Sequence, residues 1–144
     1  MLQIITEGNK ILERKCKRVD SVDDTIRTIC ASMIDAMITN NGIGLAANQV
    51  GLSKRIVVFL DHGTPKALIN PEITEMSKDM CRLDEGCLSL PETFVSIERP
   101  VKIKVKYRDL KGKPHYEVFE GTEARILQHE IDHLDGILMT SLVK

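Results

Sequence analysis

The most informative part of the sequence is 122-TEARILQHEIDHLD-135, which predicts a helix that stops at Gly136. Residues four apart on a helix are separated by about 40° around its axis, so His129 and His133 project from one face, one turn apart. Two imidazole nitrogens in that arrangement can reach a single tetrahedral metal ion. Glu130, next to the first histidine, can take a proton from water beside such an ion and then return it. The segment therefore predicts a helix that holds a catalytic metal.

A catalytic metal needs a third protein ligand and an open coordination position. Only 11 residues follow His133; they contain no His or Glu, and Asp135 lies on a different side of the helix. The third ligand is therefore expected upstream. Cys87 is the best candidate, because it follows Gly86 in an extended segment and a thiolate is a good ligand for Zn or Fe(II). Cys81 is the alternative nearby.

The remaining pattern predicts an α+β fold. Apolar residues at spacings of three and four predict an N-terminal helix over residues 22–39, with Ser21 as its N-cap. Strands are predicted at 55–61, at 67–70 with a stop at Pro71, at 101–107, where apolar and basic residues alternate, and at 115–120. The order favours mostly antiparallel sheets packed around the helix that carries the two histidines. Residues 1–144 are predicted to form one catalytic domain.

Composition excludes several classes of function. Lys and Arg number 20 and Asp and Glu 21, a net charge of -1 that argues against a general binder of nucleic acid or of membrane surfaces. The longest apolar runs are far shorter than the roughly 20 residues that span a bilayer, and the first residues carry no secretory signal. Free thiols or metal ligands are therefore expected at Cys16, Cys30, Cys81 and Cys87. We expect Cys30 in the core, and His62 and His115 on the surface.

Three segments together resemble the signature motifs of the peptide deformylases: 42-GIGLAANQ-49, 85-EGCLS-89 and 129-HEIDH-133. They occur in the family's order and at its usual separations, and the resemblance covers nearly the whole chain. Members of this family remove the formyl group from the N-terminal formyl-methionine of new polypeptides in bacteria and organelles. The resemblance implies that this chain is such a hydrolase, with a formyl-Met nascent chain as its substrate.

The same resemblance implies a role for particular residues. It implies three metal ligands: Cys87, His129 and His133. It implies Fe(II) as the native ion, with Zn, Ni or Co able to occupy the same site. It implies that Glu130 moves the proton and that the oxyanion is stabilised by the Gln49 side chain and the Leu88 backbone N–H. It implies three residues that contact the substrate: Ile43, Gly44 and Gly86.

Many members of the family continue into a long C-terminal helix that supports ribosome docking in some bacteria, whereas this sequence stops at Lys144. We therefore expect an active minimal enzyme whose association with the ribosome is transient and weakened. We expect a monomer that binds neither nucleic acid nor membrane. The expected location is the cytoplasm of a bacterium, or of a host cell if a virus or phage encodes the chain; an organelle stays open.

Two other functions stay open at this point. The first is a metal-dependent peptidase that has the same two histidines and a third ligand elsewhere. The second is a structural zinc site with all four positions filled, in which Cys81 supplies the fourth ligand. Two details are also open: Phe94 either lines the substrate entrance or belongs to the core, and Glu85 and Arg99 are expected to form an ion pair that braces the cysteine loop.

Overall fold

The structure is a computed structural model that describes residues 2–143. The two α-helices within that range are α1, Asp24–Thr39, and α2, Thr122–Leu134. The strands are β1 Gly44–Ala46, β2 Ile56–Asp61, β3 Thr64–Met76, β4 Met80–Cys87, β5 Leu90–Pro100, β6 Lys102–Arg108 and β7 Pro114–Glu120. Short 3₁₀ helices lie at Lys10–Glu13, Ala47–Val50 and Met139–Leu142.

The strands form two sheets. One has five strands in the order β1-β2-β3-β6-β7, and the other is the β4–β5 hairpin. Every neighbouring pair among these strands is antiparallel. The predicted α+β fold with mostly antiparallel sheets is therefore confirmed.

The two helices cover opposite faces of the five-stranded sheet, and β2 contacts both layers. Val57 and Phe59 belong to the apolar cluster that contains residues of α2, whereas Ile56 and Val58 belong to the cluster that contains residues of α1. A strand buried on both faces needs apolar residues at successive positions, which explains the unbroken apolar run in β2. Most residues of α2 from Ala124 onward are buried, including both histidines, so α2 is a central element rather than a surface helix.

The predicted start of the first helix was wrong by two residues. The helix begins at Asp24, and its N-cap is Asp23 rather than Ser21. The Asp23 carboxylate accepts a hydrogen bond from the Ile26 backbone N–H at 3.0 Å. Both residue types can cap a helix, but a carboxylate also interacts favourably with the positive end of the helix dipole.

The prediction that a short strand stops at Pro71 was also wrong, because β3 continues through this residue to Met76. The register against β6 shifts between Ile69 and Glu72, so the proline lies in a β-bulge, where no ladder N–H is required. Asn70, at φ 53°, turns the chain there. Its side-chain amide bonds both the N–H and the C=O of Val19, at 2.8 Å each.

The alternation predicted for residues 101–107 is confirmed in β6. Ile103, Val105 and Tyr107 are buried in the cluster beneath α2, whereas Lys102 and Lys106 are exposed. Neither helix described between residues 2 and 143 is long and apolar enough to cross a membrane.

Candidate metal centre and active site

Helix α2 carries both histidines into the interior. His129 and His133 are 7 % and 1 % exposed, and their rings meet edge to face with centroids 5.0 Å apart. The flanking glycines at 121 and 136 both adopt positive φ, which lets the chain turn sharply into and out of the helix. The helix thus directs two imidazole side chains, one helical turn apart, into the same site.

Cys87 reaches the same point from the other sheet. It is the last residue of β4, and its Sγ lies 3.2 Å from His133 Nε2. The donor atoms of Cys87, His129 and His133 all lie within 4.8 Å of one another. The structure therefore brings together the three residues that the resemblance implies as metal ligands.

The surroundings of these donors fit a divalent metal ion. Two imidazoles and a thiol are a donor set suited to Zn and Fe(II), and three protein ligands leave a position for water or substrate. Beside them, Glu130 is buried and its Oε1 has no hydrogen-bond partner among the described residues. A buried carboxylate oxygen without a partner is costly, so the expected hydrogen-bond partner of Oε1 is a water molecule or a substrate atom.

Gly44 of β1 packs directly against Glu130. A Cβ at Gly44 would lie 2.7 Å from Glu130 Oε2 and 2.8 Å from Ile126 Cγ2, which leaves no room for a side chain. The glycine is therefore required by the close approach of β1 to α2, and it restricts the position of the carboxylate.

Gln49 lies next to the cysteine, in the 3₁₀ helix Ala47–Val50. Its Oε1 accepts a hydrogen bond from the Ala46 N–H at 2.9 Å. Its Nε2 donates to Ser89 Oγ at 3.1 Å and lies 3.5 Å from Cys87 Sγ. Leu88 directly follows the cysteine in the β4–β5 turn. The two groups implied as oxyanion donors thus border the metal donors.

Glu85 is the centre of a buried ionic network behind His129. Its carboxylate accepts from His129 Nδ1 at 2.9 Å, from both Nε and Nη2 of Arg99, and from Arg125 Nη1. Arg99 also donates to Asp132 at 2.9 Å. Burial alone would raise the pKa of Glu85, but the hydrogen bonds from His129 and Arg99 outweigh it and lower the pKa to about 2.

This network confirms the predicted pairing of Glu85 with Arg99. It also fixes the His129 ring, because a ligand histidine that donates its second N–H to a carboxylate keeps one tautomer and one orientation. The bracing effect on the cysteine loop remains a prediction.

The pKa values of three ionisable side chains at this site are strongly shifted. Burial raises the pKa of Glu130 to about 7, although His129 opposes the shift. Burial would lower the pKa of His129, but hydrogen bonds to Cys87 and Glu85 raise it to about 10. Burial and the neighbouring His129 lower the pKa of His133 to about 3. Metal binding requires neutral imidazoles and a thiolate, so it must release protons from this cluster.

Two cavities open beside Glu130, with volumes of about 260 Å³ and 480 Å³. Both are lined by Ile43 and Gly86, and the larger one also by Gly44, so the three implied substrate-contacting residues share these cavities with the Glu130 carboxylate. Phe94 is 73 % exposed and lines the larger cavity, so it does not belong to the core; a role at the substrate entrance remains a prediction.

The other candidate residues lie elsewhere. Cys81 is exposed near the start of β4, outside the group of donors around Cys87. His62 lies on the surface, where Asp61 also pairs with Lys66 at 2.6 Å. His115 is partly exposed and bonds Asp109 at 2.7 Å. All four cysteines are free, and Cys30 is buried, as predicted.

Three residues around the site were not identified from the sequence: Ser89, Arg125 and Asp132. Arg125 precedes His129 by four positions, so its place on the same helix face was a usable signal. Asp132 follows His129 by three positions and offered the same signal. Ser89 offered none, because its partner Gln49 lies 40 positions earlier in the chain.

These features define an α+β protein with a candidate metal centre, in which helix α2 carries the two histidines and the glutamate. The family model described as polypeptide deformylase matches residues 1–144. A peptide deformylase of the cyanobacterium Picosynechococcus is 44% identical over 142 residues, covering 95% of this chain and 76% of the relative. The crystal structure of the Thermotoga maritima peptide deformylase is 42% identical with a TM-score of 0.96, covering 100% of this chain and 98% of that one. A probable peptide deformylase from Synechococcus phage S-SSM7 is 38% identical with a TM-score of 0.96, covering 99% of this chain and all of that one.

The chain belongs to the polypeptide deformylase family. It is accordingly a hydrolase of N-terminal processing in protein biosynthesis.

Proposed function

We propose that this chain hydrolyses the formyl group from the N-terminal formyl-methionine of newly made polypeptides, giving formate and a free amino terminus. The observation that carries the proposal is the meeting of Cys87, His129 and His133 beside a buried, partly unpartnered Glu130. Family membership supports the same reaction.

The proposed metal ligands are Cys87 Sγ and one imidazole nitrogen each of His129 and His133. When bound, a divalent ion supplies Lewis-acid polarisation and lowers the pKa of water at its open position. We propose Fe(II) as the native ion, with Zn, Ni or Co able to occupy the same donors. With Fe(II), activity should decay in air as iron or the Cys87 thiolate oxidises, whereas the Ni(II) form should persist.

Glu130 is the proposed general base and general acid. Its buried carboxylate, with a pKa of about 7, can take a proton from the attacking water and return it near neutral pH. The water oxygen bonds to the formyl carbon, the C–N bond breaks, and the proton held by Glu130 passes to the leaving amine. Gly44 keeps the carboxylate in place throughout, because β1 packs against it.

Gln49 and the Leu88 backbone N–H are the proposed oxyanion donors. Their role is to donate hydrogen bonds to the oxygen that becomes negative as the formyl carbon turns tetrahedral. The bond from the Ala46 N–H to Gln49 Oε1 supports this assignment, since it directs the amide nitrogen rather than the oxygen towards the cysteine.

The substrate backbone is proposed to lie between β1 and the β4–β5 hairpin, beside Ile43 and Gly86. Both residues line the two cavities next to Glu130, and each belongs to a chain segment at the edge of its sheet. An extended peptide adds to such an edge through main-chain hydrogen bonds. The methionine side chain would then occupy one of the two cavities.

The proposed partner is the nascent chain as it leaves the ribosome, in the cytoplasm of a bacterium or of a phage-infected host. The cyanobacterial and phage sources of similar proteins support that setting.

The test is formate release from formyl-Met-Ala-Ser by anaerobically purified protein loaded with Fe(II) or Ni(II). Glu130→Gln keeps the size of the side chain and should lower kcat by about 10²–10⁴-fold while metal remains bound. Glu123→Gln, the same change elsewhere on α2, should leave kcat unchanged. Absence of formate from folded protein with one ion per chain would overturn the proposal, and peptide-bond cleavage instead would favour the peptidase.

A further inference from the structure

Ser89 is a fully buried serine in the β4–β5 turn, at 0% exposure. A buried hydroxyl costs free energy unless it is hydrogen-bonded. Its Oγ accepts a hydrogen bond from Gln49 Nε2 at 3.1 Å. The hydroxyl is therefore directed at the side chain that the proposed mechanism uses, although Ser89 itself has no assigned role.

The Gln49 amide is held at both ends. The Ala46 N–H bonds its oxygen and Ser89 accepts from its nitrogen. An amide nitrogen carries two hydrogens, so the bond to Ser89 occupies one and directs the other. The second N–H then points to the side of the metal donors, where Cys87 Sγ lies 3.5 Å away.

The N-terminal segment, residues 2–7, ties the main chains of Gln49 and Ser89 together. Ile5 N–H donates to Gln49 O at 2.7 Å, and Glu7 N–H donates to Ser89 O at 2.8 Å. Gln49 belongs to a 3₁₀ helix and Ser89 to the turn of the other sheet. One extended segment thus fixes the distance between two elements that are far apart in sequence.

We propose that Ser89 is a positioning residue that orients the Gln49 amide for the oxyanion; this rests on the proposed role of Gln49. The terminal torsion of glutamine is broad, so packing alone does not fix the amide plane. Without Ser89 one N–H of the amide loses its acceptor, and the amide plane is held only by the Ala46 N–H and the weak bond to Cys87 Sγ. An oxyanion donor is effective only when it is aimed at the position where charge develops.

The test compares Ser89→Ala in two backgrounds, using formate release from formyl-Met-Ala-Ser by Ni(II)-loaded protein. Complete loss of an oxyanion donor costs about 10²–10³-fold in kcat, so a misaimed donor should cost about tenfold, with KM changed less than about twofold. In the Gln49→Ala background, Ser89→Ala should cause no further loss. Ser77→Ala is the matched control: it removes a hydroxyl bonded to Lys102 N at 3.1 Å, far from the site, and should leave kcat unchanged.

The outcomes separate the two proposals. If Gln49→Ala leaves kcat unchanged, the oxyanion role fails and the role of Ser89 fails with it. If Gln49→Ala lowers kcat and Ser89→Ala does not, only the positioning role fails. An equal loss from Ser89→Ala in both backgrounds would show a general structural effect and would also overturn the proposal.

Discussion

Replacing Gly44 with alanine should lower kcat severely, although the protein still folds. The new Cβ would lie 2.7 Å from Glu130 Oε2, about 0.7 Å short of ordinary contact at 3.4 Å. It cannot move away from the carboxylate freely, because Ile126 Cγ2 lies 2.8 Å from the same point. Glu130 must therefore shift by several tenths of an ångström. A misplacement of about 1 Å costs on the order of 10²-fold in rate, so kcat should fall by about 10–100-fold.

The free energy of unfolding should fall by about 1–3 kcal/mol, the usual cost of overpacking. Formate release and urea unfolding of the metal-loaded protein measure the two effects separately. Gly63→Ala is the matched control, because Gly63 has φ 84° and no neighbour within 4 Å of a Cβ. It should cost about 1–2 kcal/mol through backbone strain and leave kcat intact. A Gly44→Ala enzyme with kcat within threefold of the parent would refute the steric argument.

Three further predictions concern the charged network and the thiols. Arg99→Met should destabilise the protein by about 3–5 kcal/mol at pH 7, because the buried Glu85 carboxylate loses two charge-assisted hydrogen bonds and keeps only those from His129 and Arg125. Because the folded-state pKa of Glu85 is about 2 against an ordinary 4.5, that loss should shrink as the pH falls from about 5 towards 2 in urea titrations. A thiol reagent at pH 8 should modify exposed Cys81 rapidly and spare Cys30, whose pKa is raised by burial to about 11, as mass mapping would show. Cys87→Ser should lose metal on gel filtration, whereas Cys81→Ser should keep one ion per chain.

Each of these has a contradicting result. A difference between parent and Arg99→Met that is as large at pH 3 as at pH 7 would exclude Glu85 as the source of the loss. Labelling of Cys30 at the rate of Cys81 would show that the interior around α1 opens easily. Loss of metal from Cys81→Ser would revive a structural site with Cys81 as a ligand.

Elements in which residue types repeat with the period of a strand or a helix could be predicted from the sequence. The alternation in β6 and the spacing of His129 and His133 on α2 both follow from side-chain geometry within one element. The continuous strand through Pro71 could not be predicted in this way, because the bulge depends on Asn70 bonding to Val19, 51 positions away. Local propensity gives no sign of such a partner.

In the site, too, local motifs could be predicted, whereas contacts between distant segments could not. The three motifs indicated which residues meet, but not the layer that holds them. The pairing of Glu85 with Arg99 was predicted, but two other contacts were not. Glu85 also accepts a hydrogen bond from Arg125 of α2, and Ser89 accepts one from Gln49, 40 positions earlier in the chain. These contacts are set by tertiary packing, so a single sequence without its structure does not reveal them.

The distribution of the metal donors over two elements has a consequence for the chain as a whole. Cys87 is the last residue of β4 and His129 lies 42 positions later, so an ion held by both would close a long loop. Closing a loop of that length stabilises the folded state by about 4 kcal/mol in the chain-entropy model. The ion would thus stabilise the folded chain in addition to its proposed part in catalysis. Protein deprived of it should open first at the β4–β5 hairpin and be cut there by proteases, which would couple the lifetime of the enzyme to its supply of metal.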